Sequence, residues 1–176
     1  DLFGDWMRPP NQVALMAGMV GSQQGWMQAP YCPCPANAQD IAGALTWLRP
    51  GRIAIVPGLR CQHPGLAGSS DLAQIPDVMR GEETQIWGAG LAEHSCCVLP
   101  GTHSKWAWLG DDGQVQAFKT YMTGELFGLL TQHGILGRLM SFVPGAALDR
   151  AAFEAGVALG RRGHADLAHT LFAART

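Results

Sequence analysis

PDVMRGEETQIWGAGLAEHSCCVLPGTHSKW, residues Pro76 to Trp106, decides how this chain is read. It holds two polar clusters, Arg80-Gly81-Glu82-Glu83-Thr84 and Gly101-Thr102-His103-Ser104-Lys105, separated by a short helical segment and an apolar strand. That order predicts a helix N-terminus and a strand-turn facing one cleft. One lip is acidic, and the other offers hydroxyls, backbone amides and a lysine. A carboxylate able to take a proton, set against donors able to hold a phosphate, suits phosphoryl transfer.

Asp77 is a candidate helix cap, although the Arg80-Gly81 step moves the expected helix start to Gly81, with Glu82 and Glu83 in the first turn. Acidic residues favour helix starts whatever the function, so a structural reading of both glutamates stays open. Cys96 to Leu99 reads as an apolar strand that breaks at Pro100 to Ser104 and resumes over Lys105 to Leu109. Gly110-Asp111-Asp112-Gly113 is a strong hairpin signal, and Gln114 to Tyr121 is the returning strand. This is an antiparallel meander, and it makes the expected sheet mixed. Thr123 is the expected N-cap of a helix over Leu126 to Gln132, with Glu125 a helix-start residue. Ala151 to Leu159 and Asp166 to Ala174 read as amphipathic helices joined by a solvated linker, Gly160-Arg161-Arg162-Gly163.

Upstream, Asp1 to Pro10 is a ragged lead-in, expected to hold the tail of a helix and a turn. Asn11 to Met19 is expected to be a buried parallel strand. It runs into a glycine-rich loop, Gly18-Met19-Val20-Gly21-Ser22-Gln23-Gln24-Gly25-Trp26. Such loops bind ligands at the C-terminal ends of parallel strands, where glycine lets the backbone approach closely; a plain turn explains this one equally well. Ala29 to Ala36 (APYCPCPA) is expected to be an extended connector, excluded from regular structure by prolines that lack an amide donor. Asp40 to Leu48 has helical spacing and should stop at Pro50-Gly51. Arg52 to Pro57 reads as a second buried strand, and His63 to Ser70 as an exposed loop.

Composition bounds these readings. Among 176 residues, 47% are apolar and 15% charged, which excludes a disordered chain. A formal net charge of −2 provides no electrostatic footprint for nucleic acid or an anionic membrane. No apolar run is long enough to span a bilayer, and no signal peptide is visible. The 23 glycines and 11 prolines imply many tight turns. Five cysteines, in C-P-C, C-C and single settings, lack zinc-ribbon spacing and fit reduced cytosolic thiols. The chain opens on Asp1 without an initiator methionine and closes on a helical pattern without a capping sequence, so it is expected to be a piece of a longer protein.

Four stretches together resemble the 2-dehydro-3-deoxygalactonokinase (2-keto-3-deoxygalactonate kinase) family. They are MAGMVGSQQGWMQAPY at Met16–Tyr31, PDVMRGEETQIWGA at Pro76–Ala89, LPGTHSKW at Leu99–Trp106 and TYMTGELFGLL at Thr120–Leu130. The resemblance covers nearly the whole chain. It implies a cytoplasmic α/β sugar-acid kinase with ribonuclease-H-like (actin-like ATPase) lobes, mixed sheets flanked by helices, and ATP and a sugar acid bound between the lobes. It also implies that the family's first phosphate loop and C-terminal nucleotide motif lie outside this central fragment. Residues 1–92 would then be the remainder of the N-terminal lobe, and residues 93–176 the start of the C-terminal lobe.

Carried over position by position, Gly101, Thr102, Ser104 and Lys105 are similar to the superfamily's second phosphate loop and would bind ATP phosphates. Gly81-Glu82 is similar to the Gly-Asp pair whose carboxylate takes the proton of the attacking hydroxyl, making Glu82 the first candidate base and Glu83 the second. Arg80 is the candidate for the substrate carboxylate. Gly18, Gly21 and Ser22 would touch the sugar-acid chain. His103 would contact substrate or phosphate, or be a buried structural histidine. The resemblance implies ATP and Mg²⁺ as cofactors, with the metal held mainly by an aspartate outside this chain. It implies no nucleic-acid or membrane partner and leaves the oligomeric state open. The alternatives are a kinase for a related sugar or 2-keto-3-deoxy acid, or a non-catalytic actin-like scaffold or sugar sensor.

Overall fold

The structure, a computed structural model, describes residues 4–62, 76–140, 143, 145–162 and 166–175. It forms two compact units, Asp1–Thr123 and Gly124–Thr176. The first carries three separate three-stranded sheets, in keeping with the expected mixed sheets flanked by helices. Mixed pairing survives in two of them. Strand β1 (Ala14–Met16) pairs in parallel with β4 (Ile53–Ile55), and β4 pairs antiparallel with β3 (Thr46–Arg49). Strand β2 (Tyr31–Pro33) pairs in parallel with β5 (Gly58–Gln62), and β5 antiparallel with β6 (Pro76–Met79). The third sheet is the expected meander of β7 (Cys96–Leu99), β8 (Ser104–Leu109) and β9 (Val115–Tyr121).

Several expectations are corrected. The Ala29–Ala36 stretch contributes β2, because its prolines fall where a parallel edge strand tolerates them. Pro30 offers its carbonyl to the Gly58 amide at 3.1 Å, and the Cys34 amide donates to the Arg60 carbonyl at 2.8 Å. By strand alternation the intervening Pro33 turns its nitrogen away from β5, toward the open edge. Helix α1 spans Ala38–Gly43 only, opened by a capping box between Asn37 and Asp40. Thr46 to Leu48, read as the end of that helix, belong to β3 instead. The Pro50-Gly51 turn, closed by donation from the Arg52 amide to the Arg49 carbonyl at 2.9 Å, folds this stretch back onto β4, and cross-strand pairing overrides the helical spacing. Asp77 lies inside β6 and caps nothing. His63 to Ser70 lies outside the described residues. Residues Gly4–Met7 form a short 3-10 turn.

Helix α2 (Glu82–Gly88) begins as expected, with Gly81 as its N-cap at φ 107, a conformation that side chains other than hydrogen rarely adopt. The core lies where α2, the β2-β5-β6 sheet and the meander meet, through Leu59, Met79, Ile86, Ala107, Val115 and Phe118. Phe118 is wholly buried, which contributes roughly 2–3 kcal/mol. Trp87 Nε1 donates to the Gly113 carbonyl at 2.8 Å and ties α2 to the β8-β9 turn.

Helix α3 (Thr123–Gly128) continues into a π-helical turn, Leu129–His133, so the expected helix over Leu126 to Gln132 starts earlier and changes winding. Thr123 is therefore its first residue and no N-cap; its hydroxyl is used on the β7-β8 turn. Glu125 sits in the first turn of α3, as expected. Helix α4 (Arg150–Arg162) runs through Arg161 and Arg162, which were expected in a linker, since helical basic residues in a last turn suit the helix dipole. Gly163 lies outside the described residues. Helix α5 (Leu167–Phe172) is capped by Asp166, whose side chain accepts from the His169 amide at 3.3 Å. No described helix is long and apolar enough to cross a membrane.

Candidate active site

The two polar clusters do face one cleft, of about 660 Å³, lined on one side by Arg80, Gly81, Glu82, Thr84 and Gln85 and on the other by Leu99 to His103 and Lys105. Ala17, Gly18 and Met19, which follow β1, supply its third wall. Strand β6 is the element that aims the acidic lip. Asp77 accepts hydrogen bonds from the Thr120 amide and hydroxyl on β9, both at 2.6 Å, and three residues later the chain enters Arg80-Gly81-Glu82.

Glu82 is held at both oxygens. Oε1 lies 3.0 Å from Lys105 Nζ on β8, and Oε2 accepts from the Arg80 amide at 3.0 Å. Its side chain stays 24% exposed and opens on the cleft. Glu83 points the other way and has no exposed surface. Its carboxylate takes the Gly81 amide at 2.9 Å and 2.7 Å on its two oxygens, and the Thr84 hydroxyl at 3.2 Å on Oε1. Burial pushes the Glu83 carboxyl above its usual range. Hydrogen bonds from its own amide, Gly81 and Thr84 pull the other way, and the neighbouring Glu82 charge adds to the rise.

The Gly101–Ser104 turn is closed from within. Ser104 Oγ accepts from the Gly101 amide at 3.3 Å and shares a hydrogen bond with the Thr123 hydroxyl, which also donates to the Gly101 carbonyl at 3.3 Å. Ser104 is buried, so this hydroxyl is committed inside the turn. Thr102 and His103 are exposed on the cleft, which excludes the buried-histidine reading. Along β8 the side chains alternate: Lys105, Ala107 and Leu109 face inward, Trp106 and Trp108 outward. Lys105 therefore turns into the site, where Nζ also donates to the His103 carbonyl at 3.2 Å.

Arg80 is fixed by groups far away in sequence. Its Nη2 donates to the Ala29 carbonyl at 2.8 Å, and the guanidinium carbon sits 4.2 Å from the centre of the Tyr31 ring. Nε and Nη1 are buried without a protein partner among the described residues. Gly21 backs this arginine so closely that an added Cβ would lie 2.9 Å from Nη1 and 2.7 Å from Ile55 Cγ2. Gly21 is thus a packing position beneath the cleft. Ser22 also falls outside the lining, its hydroxyl accepting from the Gln24 amide at 3.2 Å. Gly18 does line the cleft, with its Cα 3.1 Å from where a Gly81 Cβ would stand.

The described residues do not fit a magnesium ion in this cleft. Glu82 is its one lining carboxylate, and an ammonium already occupies one oxygen. The described cluster with ligand spacing, Glu93, His94 and Asp111, is exposed and lies outside the lining. For the phosphates of a nucleotide the fit is better, since the exposed Thr102 hydroxyl and turn backbone border the cleft. Sequence reasoning missed the Ala29, Tyr31, Asp77–Thr120 and Thr123 contacts. Ala29, Tyr31, Asp77, Thr120 and Thr123 all lie in the family-like stretches, but nothing in those stretches said which residues would pair.

Fold and site together define an α/β protein with an ionic cleft between a helix N-terminus and a strand turn. A crystal structure of a Sinorhizobium meliloti protein assigned as a 2-dehydro-3-deoxygalactonokinase superposes with a TM-score of 0.75 at 37% identity, over 99% of this chain and 56% of that one. A Rhizobium meliloti protein assigned the same activity is 39% identical over 173 residues, and the 2-dehydro-3-deoxygalactonokinase of Escherichia coli is 41% identical over 157. The family profile described as 2-keto-3-deoxy-galactonokinase matches residues 1–176, and the chain belongs to that family. It spans about half the length of these curated relatives, 53% and 49%.

Proposed function

We propose that the protein carrying this chain is an ATP-dependent kinase for 2-dehydro-3-deoxy-D-galactonate, phosphorylating its terminal C6 hydroxyl in the cytoplasm. The observation that carries this reading is Glu82, a carboxylate anchored at both oxygens yet open to a cleft whose opposite lip is an exposed polar turn. Family membership supports the substrate class. In the reaction the substrate hydroxyl oxygen bonds to the γ-phosphorus of ATP, its proton passes to Glu82, and the bond from that phosphorus to the β–γ bridging oxygen breaks to release ADP. Glu83 is left with a structural duty, fixing the Gly81 amide. Thr102, His103 and the turn backbone face the phosphates. Arg80 is the group for the substrate carboxylate; its orphaned Nε and Nη1 support that role. Gly18 borders the sugar-acid chain.

Mg²⁺ would neutralise phosphate charge when bound, through residues outside this chain. The whole enzyme would be ribonuclease-H-like, with residues 1–92 in the first lobe and residues 93–176 opening the second. The test is ADP release by the full-length protein with a panel of 2-keto-3-deoxy acids and related sugars. Preference for the galactonate by ten-fold or more in kcat/KM supports the assignment; preference for another member replaces the substrate. Glu82→Gln should lower kcat by about 10²–10⁴-fold with little change in KM. Unaltered turnover would remove Glu82 from the chemistry.

A further inference from the structure

The geometry points to Lys105 as a positioning residue for Glu82, acting on the base and making no contact with the nucleotide phosphates. This rests on the kinase reading above, and it reverses the phosphate-binding role expected from the family-like turn. Three observations carry it. Lys105 lines the cleft yet is only 5% exposed as a residue, so it offers a phosphate little free surface. Two of its three protons already have partners, Glu82 Oε1 at 3.0 Å and the His103 carbonyl at 3.2 Å. The pair also joins separate elements, β8 and the start of α2, whereas the second anchor of Glu82, the Arg80 amide, comes from the same end of α2.

A carboxylate on a helix N-terminus can adopt several rotamers. An ammonium from β8 at one oxygen and a local amide at the other select a single one. The remaining lone pairs then face the cleft at a fixed direction, as a general base requires. Misplacement of such a group by an ångström costs about 10²-fold in rate. The inward turn of Lys105 follows from strand alternation, which sends Trp106 outward. Phosphate contacts fall instead to the exposed tip, Thr102 and His103.

The deciding experiment uses the full-length protein as wild type, Lys105→Met, Lys105→Arg, Glu82→Gln and the Glu82→Gln/Lys105→Met double variant. Steady-state kinetics are paired with direct titration of ATP affinity. Lys105→Met should lower kcat about 10²-fold while the ATP Kd stays within about two-fold, and the double variant should be no slower than Glu82→Gln alone. Lys105→Arg, which keeps the charge and guards against a folding failure, should recover part of kcat with unchanged ATP affinity. A ten-fold or greater loss of ATP affinity in Lys105→Met or Lys105→Arg overturns the inference, as do multiplicative losses in the double variant. Absence of ADP release by wild type would instead sink the kinase reading. Positioning is then decided by thermal midpoints of the same proteins: non-additive shifts for Glu82 and Lys105 support it, and additive shifts overturn it.

Discussion

Asp77 on β6 accepts both the amide and the hydroxyl of Thr120 on β9, each at 2.6 Å. The contact welds the sheet that launches the acidic lip to the meander that carries the opposing turn. Asp77→Ala leaves the Thr120 amide without its acceptor, a loss of about 2 kcal/mol for a hydrogen bond to a charged group. Thermal unfolding should show the midpoint falling by roughly 4–8 °C. Asp77→Asn, which keeps one acceptor, should lie between. A wild-type midpoint in Asp77→Ala would show that the weld bears no strain of the fold.

Gly81→Ala should be harmful beyond its size. The φ of 107 is unfavourable for any side chain, at about 1–3 kcal/mol, and the new Cβ would press within 3.1 Å of Gly18 Cα. Because Gly81 is the N-cap residue between Arg80 and Glu82, relief of that clash must move the candidate base. Urea unfolding and kcat should fall together. A variant with lowered stability and full kcat would separate the cap from the chemistry.

Arg80→Lys tests the planar fork. A lysine cannot both reach the Ala29 carbonyl and lie flat over Tyr31, and it offers no pair of donors to a carboxylate. The KM for the sugar acid should rise ten-fold or more while the KM for ATP stays within two-fold. Equal rises would assign Arg80 to general packing of the cleft.

Glu83 predicts a pH dependence of stability. Its carboxyl is raised by burial, so the folded protein holds a proton that the unfolded chain releases near the ordinary value of 4.5. The stability it contributes is complete below that value and is lost as pH rises through the raised folded value. Glu83→Gln, neutral throughout and still an acceptor for the Gly81 amide, should lack this loss. Subtracting the two urea-unfolding profiles should leave a difference that grows in favour of the variant above pH 4.5. A flat difference would mean that burial does not govern this carboxyl.

Local signals carried the meander, the parallel pairing of β1 and the start of α2 at Gly81, because each rests on turn chemistry or a hydrophobic run. Strand β1 itself is only Ala14–Met16 with Leu15 exposed, where a buried strand over Asn11 to Met19 was expected. The same reasoning failed where pairing decided the outcome. Pro33 is compatible with a strand only because β2 lies at a sheet edge, and Thr46 to Leu48 left the helical pattern for the strand that pairs with β4. In the site, the clusters and their facing lips were legible. The division of labour between Glu82 and Glu83 was not, since adjacent glutamates in a first turn are separated only by which side of the helix meets the core. Nor could the sequence reveal that Ser104 is spent on Gly101 and Thr123, a contact that needs the meander already folded.

The alternation along β8 makes its reading frame a property of the site. A single residue added or removed between Ser104 and Leu109 would carry the ammonium to solvent and drive an indole into the place facing Glu82. Exchanges at Trp106 and Trp108, by contrast, meet open space on one side. In a mutational library, tolerance along this strand should therefore rise and fall with every second codon, while in-frame insertions and deletions are rejected throughout.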